Sequence, residues 1–294
     1  MSNPVVHPQS LLNTPITRRE FIRRAAVTAG AFERAAVAIS AQAQQDPLES
    51  IALAYRSTDE KMTMGYLSRP RADAQVPGVV IVHDTAGLDD RIRDVARRIA
   101  GEQYMVVAPD FLSRQGGTAH FRGNEADVAK AVGGVSRENI VADSGGAIAY
   151  FKSTKRLREN RVATIGFGWG ADGALSVAAT HPDVRACVVF HGVPRVDAKS
   201  LAKLRAPVLA IFAGEDNAAT QAIPGLEEAL KKAKIQYAIE VYPAVRTGFD
   251  DSTAKDRYNA EAAKDAWAKA MAHLDKWLKE GAPTKEASTP KPTP

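Results

Sequence analysis

Gly166-Phe167-Gly168-Trp169-Gly170 has the spacing of a corner built to push one reactive side chain out between a strand and a helix. Such a corner needs small residues two before and two after the attacking residue, because the chain reverses sharply there. The flanking glycines meet that requirement. The centre does not: Gly168 tolerates a strained backbone but carries no oxygen or sulfur. The chemistry implied by the spacing is covalent acyl transfer, and the atom that would form the covalent bond is missing. A phosphate-binding turn is the competing reading of a glycine-rich corner. No Gly-Lys-Ser/Thr follows and no Asp or Glu ends the next strand, which argues against nucleotide binding.

A nucleophile of this kind works with a histidine base and an acid that orients it. Phe212-Ala213-Gly214-Glu215-Asp216 directly follows an apolar strand and offers Asp216 as the acid. Alone, it reads better as an Asp in a glycine-containing turn. The order elbow, acid, final strand favours the catalytic reading. The base is then due in Tyr242–Phe249, YPAVRTGF, but the histidines are His7, His83, His120, His181, His191 and His273. None falls there. His191 and His83 both follow strands, so His191 is the candidate for a relocated base acting with Asp216 on water, Ser144 or Ser113. Neither serine lies on an elbow.

The elements that must position these groups run from about Leu48 to Lys279. Ile51–Arg56 and Met62–Leu67 read as paired strands. Gly78–His83 is a Val/Ile run of the kind buried on both faces of a sheet. Further strands are expected at Tyr104–Ala108, Val162–Gly166, Ala186–Phe190, Val208–Phe212 and Gln236–Tyr242. Helices are expected at Arg91–Glu102, through most of Asp127–Lys152 with a break near Gly133-Gly134, and at Gly173–Thr180, Gly225–Ala233 and Asn259–Leu278. Alternating strands and helices imply an α/β fold, a mainly parallel sheet with helices on both faces. Ligands bind such sheets outside the carboxyl ends of the strands.

Composition sets the remaining bounds. The 294 residues are 45% hydrophobic and 25% charged, ordinary values for a globular protein. Of the formal net charge of +5, residues 1–44 hold five Arg and two Glu, which leaves +2 for the rest. No basic stripe points to nucleic acid. Thr17-Arg18-Arg19-Glu20-Phe21-Ile22 reads as a twin-arginine export signal over residues 1–44, with Ala41-Gln42-Ala43 as a cleavage site and a periplasmic or exported destination. Glu33 and Arg34 interrupt its apolar stretch, and an amphipathic Arg-rich helix in a cytoplasmic protein is the alternative. No segment has the apolar length of a stable membrane span. Cys187, in the apolar run Ala186–Phe190, reads as a core thiol. Residues 281–294, with four prolines, read as a disordered tail, which leaves 45–280 as the folded domain.

In order along the chain, VVIVHDTAGL (79–88), DVARRIAGEQYMVVAPDFLSRQGG (94–117), IGFGWGADGAL (165–175), FAGED (212–216), YPAVRTGF (242–249) and RYNAEAAKDAWAKAMAHLDKWL (257–278) resemble the dienelactone hydrolase family. The resemblance implies an α/β-hydrolase fold and an ester- or lactone-hydrolysing, carboxymethylenebutenolidase-like lineage with a Cys-His-Asp triad. No cofactor is expected, and no His, Asp or Glu group shows metal-ligand spacing. By position the nucleophile falls on Gly168, the base on Thr247, and the acid is retained as Asp216. Asp84 stands where the family commonly has Glu. The resemblance places the oxyanion hole at the backbone N–H groups of Thr85 and Trp169, and a substrate-carboxylate contact at Arg114; a surface Arg capping a loop is the other reading of that residue. Trp169 is a pocket wall or simply core. Three expectations follow: a protein inactive or severely impaired by the triad route, a hydrolase that uses His191 and Asp216, or a binder of small esters, lactones or carboxylates.

Overall fold

The computed structural model describes residues 46–121, 124–192, 199 and 201–280. The proposed export signal and the proline-rich tail lie outside them. The eight strands are β1 (Leu48–Arg56), β2 (Met62–Pro70), β3 (Val76–Val82), β4 (Met105–Pro109), β5 (Leu157–Phe167), β6 (Val184–Phe190), β7 (Val208–Ala213) and β8 (Tyr237–Tyr242). They form one sheet in the order β1-β2-β4-β3-β5-β6-β7-β8. β1 and β2 are antiparallel and β2 pairs antiparallel with β4; β3 to β8 run parallel. This is the α/β-hydrolase arrangement.

Side-chain alternation divides the core between the two faces. Val79 and Ile81 of β3 point into one cluster with Ile92, Val95 and Ile99 of α1 (Asp90–Gly101) and Trp267 and Ala270 of α6 (Ala260–Leu274). Val80 and Val82 point into the other, with Ile148 and Phe151 of α3 (Arg137–Ser153), Leu175 and Val177 of α4 (Gly170–Thr180), and Leu226 and Leu230 of α5 (Asn217–Lys232). Every residue of β3 is buried, as a Val/Ile run covered on both faces requires. A short helix, α2 (Glu125–Gly133), precedes α3, and the expected break between them falls at residues 134–136.

Two elements differ most from the sequence pattern. The strand expected over Val162–Gly166 begins at Leu157, because polar Arg158, Glu159 and Asn160 extend it beyond its apolar centre. The helix expected at Gly225–Ala233 begins at Asn217, with Pro224 inside it. A proline normally breaks such an element. Here the Asp216 carboxylate accepts the Ala219 N–H at 3.0 Å and starts the helix eight residues before Gly225.

His273 sits in the last turn of α6, largely buried, its Nε2 3.2 Å from the Pro207 carbonyl. Burial pushes its pKa down to about 4, against the opposing pull of that hydrogen bond. The unfolded chain therefore binds more protons between about pH 6.5 and 4, so His273 removes stability as pH falls through that window. Urea unfolding of His273→Gln is expected to lose midpoint less steeply than the parent between pH 7 and pH 4.5. An unchanged slope would refute this assignment.

Candidate active site

The corner at the end of β5 forms as its glycines predict. Gly168 takes φ +51, the left-handed region in which a side chain is strained, and its N–H donates to the Phe190 carbonyl at 2.9 Å. A Cβ built on Gly168 meets only the Asp84 Cβ within 4 Å, at 3.4 Å. The space for a side chain is open. Gly192, just after β6, is pressed so close that a Cβ there would stand 2.1 Å from the Gly168 carbonyl oxygen. That contact holds Gly192 against the elbow.

Asp216 and Thr247 come together: the Thr247 hydroxyl donates to Asp216 Oδ2 at 2.5 Å. Burial pushes the Asp216 carboxyl up, but the hydroxyl, two backbone N–H groups and the proximity of His191 outweigh it and hold the carboxyl below its ordinary range. One Asp216 oxygen caps α5 and the other holds Thr247. The strand order sets β7 two places from β5, about 10 Å away at the usual strand spacing. The elbow and the Asp216–Thr247 pair thus stand at the same carboxyl edge, across the end of β6.

His191 also lies at this edge, at φ +61, but its ring is turned inward. It is 3% exposed, and Nε2 is 2.7 Å from Asp250 Oδ1. Asp250 in turn meets Arg91, whose guanidinium also binds Asp84 at 2.9 Å and Asp251 at 3.5 Å and rests 5.0 Å from the Phe167 ring centre. Burial works against the Arg91 charge, and the carboxylates of Asp250, Asp84 and Asp251 more than restore it. This buried network ties Asp84 after β3, His191 at the end of β6 and Asp250 and Asp251 after β8 to Arg91 on α1. His191 pairs with Asp250 where Asp216 was expected. Ser113 is instead bonded to the Met64 N–H and the Asp110 carbonyl, and Ser144 is buried within α3. His83 has both nitrogens engaged, Nδ1 donating to the Asp84 carbonyl at 2.8 Å and Nε2 accepting the Phe111 N–H at 3.3 Å.

Arg114 is the clearest departure from its expected place. Its guanidinium binds both oxygens of Asp59, at 2.8 and 2.9 Å, and Asp143 Oδ1 at 2.8 Å. Asp143 is wholly buried on α3 and accepts the Thr63 hydroxyl. Two carboxylates of the chain itself thus occupy the residue proposed to hold a substrate carboxylate. It ties the β1–β2 turn to α3.

Beside the elbow lies a cleft of about 650 Å³, lined by Gly168, Trp169, Asp172 and Gly173 of the corner and α4, by Gly192, and by Gly133, Val135, Arg137, Glu138 and Ile140 around the start of α3. Trp169 is both wall and core: it borders the cleft and stacks on His83, ring centres 6.0 Å apart. Thr85 is exposed in the turn after β3, and β3 adjoins β5 with Val82 opposite Gly166. The Thr85 and Trp169 backbones therefore leave adjacent strand ends.

The family model for the dienelactone hydrolase family matches residues 63–278, most of the chain. The chain belongs to the dienelactone hydrolase family. Two relatives, each described as "putative carboxymethylenebutenolidase", bear this out in extent. That of Escherichia coli K12 is 26% identical over 262 residues, 85% of this chain and 94% of the relative. That of Synechocystis sp. PCC 6803 is 32% identical over 222 residues, 70% and 88% of the two chains. Among solved structures, the "putative dienelactone hydrolase" of Klebsiella pneumoniae subsp. pneumoniae MGH 78578 superposes with a TM-score of 0.69 at 26% identity, covering 78% of this chain and all of that one. Within this dienelactone hydrolase fold, the sequence missed Asp250, Arg91, Arg137 and Asp172. Asp250 had one signal, an acid directly after the Thr247-Gly248-Phe249 turn; the others carry no spacing that marks them.

Proposed function

We propose that this dienelactone hydrolase family member does not hydrolyse esters or lactones by the Cys-His-Asp route, and that its elbow cleft binds a small-molecule ligand without turning it over. One observation carries the reading: the elbow and its space are kept, with glycine at φ +51 where the attacking atom belongs. The Thr247 hydroxyl occupying Asp216 supports it from the base's side. Triad members act as a unit, and losing one costs roughly four to six orders of magnitude in rate; the oxyanion hole and binding together supply about 10³-fold over water. The ring of His191, buried and committed to Asp250, weighs against a relocated base.

Turnover of p-nitrophenyl acetate and of a small lactone tests this. The expected result is slow ester release, within about 10³-fold of the water rate and unchanged in His191→Ala and Asp216→Asn. Saturable, rapid turnover abolished by His191→Ala would establish the relocated hydrolase instead.

A further inference from the structure

We propose that the elbow cleft selects a small organic cation, an amine with an apolar body, over a carboxylate of the same size. This inference rests on the binding reading above and adds the charge of the ligand. Among the described residues that line the cleft, the charged ones are Arg137, Glu138 and Asp172, a sum of −1. Arg137 Nη2 lies 2.8 Å from Asp172 Oδ2, so the wall's cation is already matched by a carboxylate of the same wall. Arg114, the other cation that could read a carboxylate, is held by Asp59 and Asp143.

Arg137 also acts on Glu138, so the one cation serves two carboxylates and the summed charge of that described wall is negative. Glu138 is exposed in the first turn of α3, and hydrogen bonds from its own backbone N–H and the Ser136 hydroxyl hold its carboxyl below the usual range. It stays ionised at neutral pH. The Trp169 indole offers an ammonium a cation–π contact, and Val135 and Ile140 supply apolar surface for the rest of the ligand. A carboxylate entering the same space meets Glu138 as a like charge and must compete with Asp172 for Arg137. Both effects act in the same direction.

Benzylamine, benzyl alcohol and benzoate are matched probes that differ mainly in charge, and none has a scissile ester. Titrated into the full-length protein at pH 7.5 and low salt, with binding followed by calorimetry and the Trp169 indole NMR resonance, benzylamine is expected to bind about tenfold more tightly than benzoate, benzyl alcohol lying between. Glu138→Gln should remove most of the gap, Trp169→Leu should weaken benzylamine most, and Asp172→Asn should strengthen benzoate by removing a negative charge from the wall. Added salt should shrink the preference. Benzoate binding as well as benzylamine, a preference unaffected by Glu138→Gln, or no binding by any of the three would overturn the proposal. Rapid ester turnover would overturn the non-hydrolytic reading alone, because the probe affinities do not depend on it.

Discussion

Gly168→Cys combined with Thr247→His is expected to raise p-nitrophenyl acetate hydrolysis by at least about 10³-fold over the parent, while either change alone gives little, because nucleophile and base act as a unit. The structure supplies what the pair needs. The new Cβ meets nothing nearer than Asp84 at 3.4 Å, so the thiol enters open space. The new imidazole replaces a hydroxyl already bonded to Asp216, so its acid partner is waiting. The Trp169 N–H follows the new thiol directly in the chain, where a nucleophile elbow draws one of its oxyanion donors. The left-handed backbone at Gly168 sets the cost, about 1–2 kcal/mol of stability for a side chain there. The variant should melt a few degrees lower and turn over faster. If it folds and shows no gain, the assignment of Gly168 and Thr247 to the nucleophile and base positions fails.

The fold was legible because its signals are local and repeated. The Val/Ile run at β3, the stripe Ile92, Val95, Ala96 and Ile99 on α1 and the glycines of the elbow each report their own conformation. Pro224 hid the first half of α5 because breaker logic reads one residue, whereas the helix is started by a cap eight positions upstream. The site was only half legible. An absent side chain is visible in a sequence, so the proposal that Gly168 and Thr247 stand at the nucleophile and base positions could be made from the sequence alone. What a charged side chain holds is not visible, because its partner lies anywhere in the chain. Arg114 meets Asp59 and Asp143, and His191 meets Asp250, at separations of 55, 29 and 59 residues. Asp216 shows the converse limit. The motif that proposes Asp216 as the acid gives no hint that its carboxylate also caps a helix.

This division between the two acids leads to the second large effect. Asp250→Ala is expected to cost about 2–3 kcal/mol, because it leaves the buried His191 Nε2 without its partner and removes one of the three carboxylates around Arg91, which keeps Asp84 and Asp251. Asp216→Ala is expected to cost about 1 kcal/mol, the usual loss of a helix cap. Urea unfolding at pH 7 measures both. The pH dependence separates the mechanisms further. Burial pushes the Asp250 carboxyl up, but His191 and Arg91 outweigh it and hold it below its ordinary range. A depressed carboxylate adds stability above its unfolded value, about pH 4, and loses it as pH falls through the folded value. The gap between parent and Asp250→Ala should therefore be full at pH 7 and narrow below about pH 4. Asp250→Asn, which keeps an acceptor for His191 but removes the charge facing Arg91, should fall between the two. Equal losses for the Asp250 and Asp216 variants would mean that the buried network does not hold the loops around the elbow. The shape of the corner around Gly168 would then need another cause.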